Sequence, residues 1–300
     1  MTTDKPSGTR LLDERWVIYR TSDGSITAAQ DLCLHQGAPL SHGWVEGDRL
    51  VCPDHGVQYD AAGQCVYIPA KLKAAISKRL KLKTDRAQER YGLVWVRLLD
   101  NGPVPFPAMA EWDDPDYIQI LPEAVDLEAA AEQQVEGFLD IAHFAFIHAK
   151  SFGEQDNTIV PDYPIEQTPT GFQADYISTA SNYAHGMKHR VPPDFQWRRL
   201  FEVFWPFTAK LSVTFPNGRL HILKAAAPIS ARKTRVFAPI CRNFDKDRES
   251  NNMLVFPSRE GCRRRGGFEL LHSGATHPAA PPRRGNVIRL GLSSLFNPHP

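Results

Sequence analysis

Over its first hundred residues the chain alternates apolar and polar positions in short stretches. RWVIYR (15–20), SITAAQD (25–31), RLVC (49–52), VQYD (57–60) and YGLVWVRL (91–98) read as β-strands, with Gly24, Gly47 and Gly63 between them. A small antiparallel domain is expected. Residues 101–117 hold four prolines and a glycine and read as the connection to a second domain that begins near Tyr117. Next, LEAAAEQQVEGFLDIAHFAFIHAK (127–150) favours one long helix by propensity. Strand-like GFQADYISTASNY, RRLFEVFWPF, AKLSVTFPNGRLHILKAAAPI and TRVFAPICRNF follow, and Asn217-Gly218 predicts a hairpin between LSVTF and RLHIL. The expected class is α+β: an all-β domain, then an antiparallel sheet with a helix packed on it.

Composition narrows the class without naming a chemistry. With 300 residues, 42% hydrophobic and 23% charged, the chain has room for one large or two medium cores. A net charge of +1 gives no reason to expect nucleic acid or an anionic membrane as partner. Apolar runs are too short to span a bilayer, and MTTDKPSGTR lacks the core of a signal peptide. The lysine-rich stretch 71–83 reads as a solvated face, with a docking patch for an acidic reductase as the sharper alternative.

The chemistry begins at CLHQGAPLSHGWVEGDRLVCPDH. Cys33 and His35 form Cys-x-His; sixteen residues later Cys52 and His55 form Cys-x-x-His. Each half offers one thiolate and one imidazole beside turn-formers such as Gly37, Pro39 and Gly56. A Rieske [2Fe–2S] cluster uses two cysteines on one iron and two histidines on the other, which raises its potential to roughly −150 to +300 mV, against about −400 mV for an all-cysteine plant-type ferredoxin. A structural zinc site is the alternative, but zinc fingers favour a Cys pair followed by a His pair. The remaining Cys65, Cys241 and Cys262 are odd in number, which suits reduced thiols in a cytoplasm.

A second cluster lies in the apolar segment 138–148. Asp140, His143 and His148 are set in phenylalanine, leucine, isoleucine and alanine, so the segment is expected to be buried. Buried carboxylates and imidazoles need partners, which favours a metal or a hydrogen-bonded network over isolated core histidines. Asp140 and His143 are about 60° apart around a helix, whereas His143 and His148 are about 140° apart. Both imidazoles can reach one ion only if the helix bends or ends between them.

Taken together, RLVCPDHGVQYDAAGQCVYIPA, ERYGLVWVRL and EGFLDIAHFAFIH resemble the oxygenase α subunit of the Rieske non-heme iron oxygenases, over roughly residues 8–256. The resemblance implies a Rieske domain over 1–103 and a helix-grip catalytic domain over 104–256. It implies Cys33, His35, Cys52 and His55 as cluster ligands, and His143 and His148 as ligands of a mononuclear Fe(II). In such sites a carboxylate completes a facial triad that leaves positions open for O2. Asp140 matches the carboxylate that bridges a cluster histidine and an iron histidine, between neighbouring subunits of a trimer. The segment before about Gln134 should then be a strand, against its helix propensity. The implied function is O2-dependent hydroxylation or oxidative demethylation of a small aromatic or heteroaromatic compound. Electrons would come from a separate NAD(P)H-dependent reductase or ferredoxin, because the chain itself has no nicotinamide or flavin motif. Phe144, Phe146, Phe204, Trp205 and Phe207 are candidates for the apolar lining, or else ordinary core aromatics.

Three departures from the pattern stand out. Gly137 stands where the family has asparagine, and the usual first strand with its Trp-Tyr pattern is absent. Beyond residue 256 the expected helix with the third iron ligand gives way to 44 residues with seven arginines, six prolines, six glycines and no aspartate. This 257–300 tail reads as a shifted frame or truncation, with a basic anion-binding tail as the alternative. No third ligand is identified: Asp245, Asp247, Glu249 and Glu260 are the nearest carboxylates. The rival function is therefore an electron-transfer protein or inactive oxygenase remnant that retains only the cluster.

Overall fold

A computed structural model describes residues 5–71, 75–98, 105–149, 151–183 and 185–246. The aberrant tail and the 103/104 boundary lie outside these residues, as do Asp247, Glu249 and Glu260.

The N-terminal half is built from strands β1 (Ser7–Leu11), β2 (Glu14–Arg20), β3 (Ile26–Gln30), β4 (Trp44–Glu46), β5 (Arg49–Val51), β6 (Gln58–Tyr59), β7 (Cys65–Tyr67), β8 (Thr84–Arg90) and β9 (Leu93–Arg97). They form a five-stranded sheet in the order β1-β2-β3-β8-β9 and a four-stranded sheet β4-β5-β6-β7, with all pairs antiparallel. Val17, Tyr19, Ala29, Leu40, Leu50, Tyr59 and Leu82 fill the space between them. The lysine-rich stretch is more than a solvated face. Its Leu80 and Leu82 enter that core, and their backbones bond Cys65 and Gly63 at 2.8 Å. Two strands, β1 and β8, carry mostly polar residues and lacked an apolar signal in the sequence.

The second half contains β10 (Ile118–Ile120), β11 (Val125–Leu127), α1 (Ala131–Leu139), β12 (Ile165–Thr168), β13 (Gly171–Ser178), β14 (Trp197–Phe204), β15 (Thr208–Phe215), β16 (Gly218–Ser230), β17 (Lys233–Phe237) and β18 (Ile240–Arg242). The nine strands make one antiparallel sheet, ordered β10-β18-β16-β15-β14-β13-β12, with β17 and then β11 on the other half of the long β16. The predicted hairpin forms, but one residue early. Phe215 pairs with Gly218, so Pro216 and Asn217 make the turn, because proline's fixed φ favours it as the first turn residue.

The long helix expected over 127–150 does not form. Val125 and Leu127 pair with β17, and α1, the one α-helix among the described residues, runs only from Ala131 to Leu139. The expectation of a strand up to about Gln134 is also corrected, since that strand ends at Leu127. Ladder bonds to β17 outweigh helix propensity at the front, and the Ala130 N–H bonds the Gln133 side chain as the helix starts. At the back, Asp140 turns extended (φ −67°, ψ 129°) and its Oδ1 accepts the Ala142 N–H at 2.9 Å, starting a short 3-10 turn over Ala142–Ala145. Ala131, Val135, Phe138 and Leu139 follow helical spacing and pack on Val203, Ala209 and Ala226 of the sheet. The segment beyond is not apolar on every side of a buried helix: Phe146 is 69% exposed.

The two halves share a seam. The Leu12 and Asp13 N–H groups bond the carbonyls of Pro228 and Ile229 at 2.9 Å, and Tyr91 packs with Met109, Leu223 and Cys241. No described helix is long and apolar enough to cross a membrane.

Candidate metal centres

The four donors of the first motif sit on two loops of matching backbone design. In one, Cys33 N–H bonds Ala38 O and Gly37 N–H bonds Cys33 O, both at 2.9 Å. In the other, Cys52 N–H bonds Val57 O at 2.9 Å and Gly56 N–H bonds Cys52 O at 3.1 Å. Each loop closes through a glycine in the left-handed region, φ +78° at Gly37 and +68° at Gly56, where a side chain would be strained. The loops bring like to like. The side chains of Cys33 and Cys52 are neighbours, while the His35 and His55 rings stand edge-on with centroids 4.6 Å apart. Cys33 and Cys52 are buried, whereas the His55 side chain is about half exposed at 49%.

Burial pushes the Cys52 thiol pKa up, and the neighbouring Cys33 adds to the shift. Two buried thiolates side by side therefore call for a cation, which fits a metal that takes its ligands deprotonated. Tyr59 completes the thiol side. Its hydroxyl accepts the Leu34 N–H at 3.1 Å and lies 3.3 Å from Cys33 Sγ, so its own proton is free to point at the sulfur. A thiol pair and a separate imidazole pair suit the two irons of a Rieske cluster.

The second centre lies where α1 ends. Asp140 caps the helix, and its Oδ2 is 3.1 Å from His143 Nδ1. This bond orients the imidazole and leaves Nε2 for a metal. His148 follows in the next turn, its carbonyl accepting the N–H groups of Ser151 at 2.9 Å and Gly153 at 2.8 Å. The His143 and His148 rings are 5.0 Å apart, so the break after Leu139 brings together what a straight helix would separate. Phe152 stacks on His148 at 4.5 Å, and Phe144 stands edge-on to both imidazoles. Burial, with His143 nearby, pulls the His148 pKa down to about 4. It is neutral at pH 7, the form that ligates a metal.

Two imidazoles fit a mononuclear iron, but the third donor is not among the described residues. Among the described residues, no three His, Cys, Asp or Glu side chains converge on one point as ligands of a single ion. Asp245 is taken by Arg190, which grips both of its oxygens at 2.8 Å. Of the proposed apolar lining, Phe144 and Phe207 face the α1 side, Phe204 alternates to the opposite face, and Trp205 and Phe146 are exposed. Tyr59 and Phe152 escaped the sequence reading. The hydroxyl-to-sulfur contact follows from strand pairing, which the motif spacing does not encode.

These two sites, on a Rieske fold joined to an antiparallel sheet, define an oxygenase class, and the comparisons agree. The chain matches the Rieske [2Fe-2S] domain over residues 1–82 and the vanillate O-demethylase oxygenase C-terminal domain over residues 127–259. It belongs to the Rieske non-heme iron oxygenases, whose cofactors are a Rieske [2Fe–2S] cluster and a mononuclear iron. It is 31% identical to methylxanthine N1-demethylase NdmA of Pseudomonas putida over 261 residues, 84% of this chain and 72% of that one. It is 29% identical to a vanillate O-demethylase oxygenase subunit of Pseudomonas sp., covering 65% of this chain and 52% of that one. Among solved structures, Pseudomonas putida CBB5 NdmA with caffeine superposes with a TM-score of 0.78 at 27% identity, covering 94% of this chain and 80% of that one.

Proposed function

We propose that this chain is the oxygenase component of a multicomponent Rieske system that demethylates or hydroxylates a small aromatic or heteroaromatic compound with O2. The observation that carries the reading is the pair of matched chelating loops together with a second imidazole pair 5.0 Å apart, oriented by Asp140. In this reading Cys33 and Cys52 hold one iron of the cluster, and His35 and His55 the other. His143 and His148 hold the mononuclear iron, with Asp140 as the bridge. When bound, the metals supply one-electron transfer and O2 activation. The chain's own part is positional. Asp140 fixes the His143 ring, burial keeps His148 neutral, and Phe144 and Phe152 shield the imidazoles from water. Residues 1–103 form the cluster domain and 104–256 the catalytic domain.

Electrons come from a separate NAD(P)H-dependent reductase or ferredoxin. The assembly is a homotrimer in which Asp140 meets a cluster histidine of a neighbour. Its side chain is 46% exposed, and its hydrogen-bond partners among the described residues are Ala142 and His143, not the Rieske half. A cytoplasm suits the buried free thiols Cys65 and Cys241.

One observation favours the rival reading, a remnant that only transfers electrons: among the described residues the carboxylate beside the imidazoles, Asp140, is engaged by the Ala142 N–H and His143 Nδ1. Iron counting on anaerobically purified protein separates the two. Three irons per chain with a Rieske electron paramagnetic resonance signal support the oxygenase, two support the cluster alone, and zinc without iron ends both readings.

A further inference from the structure

The two faces of the catalytic sheet bury their lysines differently. On the face under α1, Lys224 is 7% exposed and lies 5.4 Å from the Phe138 ring, with no carboxylate beside it among the described residues. Register puts Lys210 on the other face, between Glu202 of β14 and Leu223 of β16. Lys210 is just as buried, and it has two carboxylates. Its Nζ is 3.2 Å from Glu202 Oε2 and 3.4 Å from Glu111 Oε2.

Glu202 alone balances the ammonium. Glu111 is the surplus charge, and it comes from outside the sheet, on a 3-10 turn over Ala110–Trp112 in the segment that connects the two halves. Burial opposes its ionisation, but its own backbone N–H, His221 and Lys210 outweigh burial, and its pKa is lowered. Its Oε2 makes no hydrogen bond among the described residues, so what it gives Lys210 is charge. Its Oε1 is 3.8 Å from Nδ1 of His221, whose nearer partner is Ser212 Oγ at 2.8 Å. A glutamine would fill the same space without a second buried charge, so the carboxylate needs a reason.

The other end of the same segment is held from the cluster half. Tyr91, at the tip of the β8–β9 hairpin, is buried, and its hydroxyl donates to Pro107 O at 2.8 Å and accepts the Met109 N–H at 3.0 Å. It does so from φ +57°, a left-handed backbone that residues other than glycine rarely adopt. Met109 packs on Leu223 and Cys241 of the sheet, and Trp112 stands edge-on to the Tyr91 ring at 6.2 Å. A strained, buried tyrosine at one end and a surplus carboxylate at the other make residues 107–111 a strap between the halves. It is a second point of attachment, after the bonds of the Leu12 and Asp13 N–H groups to Pro228 and Ile229. One point leaves the cluster half free to turn about it, and two fix its orientation.

We propose that Tyr91 and Glu111 are positioning residues, the two anchors of one strap that fixes the cluster half against the catalytic sheet. The consequence for electron transfer rests on the oxygenase reading, in which the cluster has to stay within reach of an iron. The strap itself does not depend on that reading.

The test is native-state hydrogen exchange on the full-length, metal-loaded protein, with Glu111→Gln, Tyr91→Phe and the double variant. Glu111→Gln leaves Lys210 paired with Glu202, so no buried charge is orphaned. It should speed exchange of the Met109 N–H, whose own acceptor is untouched, by on the order of tenfold, between the effects of an exposed and a buried ion pair. Tyr91→Phe should act the same way at the far end, on the Asp113 N–H that bonds Ala110 O. The double variant should fall short of the summed single effects, because a strap released at one end has little left to lose at the other. With iron content and cluster potential unchanged, each variant should also slow reoxidation of the reduced cluster in a single turnover. Faster exchange confined to the altered end, or effects that add in full, would reveal two separate local contacts and overturn the proposal. So would an unchanged reoxidation rate in a variant whose strap exchanges faster. A wild-type cluster that substrate and O2 do not reoxidise would sink the oxygenase reading, and the exchange results would still decide the strap.

Discussion

The Tyr59 hydroxyl lies 3.3 Å from Cys33 Sγ while it accepts the Leu34 N–H, so only the sulfur is left for its own proton. Hydrogen bonds to ligand sulfurs stabilise the more negative, reduced state of an iron–sulfur cluster. Tyr59→Phe keeps the buried ring and removes the donor. It should lower the cluster's reduction potential with little change in cluster content, as followed by redox titration of the electron paramagnetic resonance signal. An unchanged potential would show that the hydroxyl does not donate to Cys33.

Asp140 serves two neighbours, Ala142 N–H through Oδ1 and His143 Nδ1 through Oδ2. Asparagine can keep the first bond and so preserve the break after α1. It cannot supply the charge, and its amide N–H₂ opposes the N–H of His143. Asp140→Asn should fold, load its cluster and then reoxidise it more slowly in a single turnover with substrate and O2, by on the order of tenfold or more, the usual effect of losing a bond that orients a metal ligand. Wild-type kinetics would remove Asp140 from the role of bridge.

How much of this was legible depended on the range of the interaction. That Cys33, His35, Cys52 and His55 come together was readable because each short loop encloses its two side chains within a few residues, and the glycines that close the loops lie in the same words of sequence. His143 and His148 were readable as a pair only on condition that the helix stop between them. What stops it is Asp140, whose carboxylate bonds the backbone two residues on, and propensity gives no weight to that bond. The start of α1 was set from much farther away, by the pairing of Val125 and Leu127 with Val236 and Thr234. Lys224 was invisible for the same reason. Alternation along β16 assigns it a face, but only register with β14 and β15 shows that the face is the one under α1.

Gly137 lies in the interior of α1, and a Cβ built there meets nothing within 4 Å. The glycine is therefore not needed for space or for an unusual φ, and it weakens a helix of only nine residues. Gly137→Ala should stabilise the protein by about 0.5–1 kcal/mol, the usual helix-interior difference between the two residues. Urea unfolding would measure it. A loss of stability would mean that the open side of α1 is covered by residues outside those described.

The uncompensated charge of Lys224 predicts a stability that rises with pH. Its folded pKa is lowered from 10.5 to about 8 by burial, so the unfolded chain binds the proton more tightly than the native one. Below about pH 8 both states are protonated and the native state carries the full penalty of the buried ammonium. Between about 8 and 10.5 the native state releases the proton first, and the penalty fades. The shift corresponds to about 3 kcal/mol at neutral pH, as an order of magnitude for a largely buried group. Lys224→Met should therefore unfold at a higher urea concentration than wild type at pH 7, and the advantage should shrink as the pH approaches 10. A methionine variant that is less stable than wild type at pH 7 would show that Lys224 has a structural counter-charge.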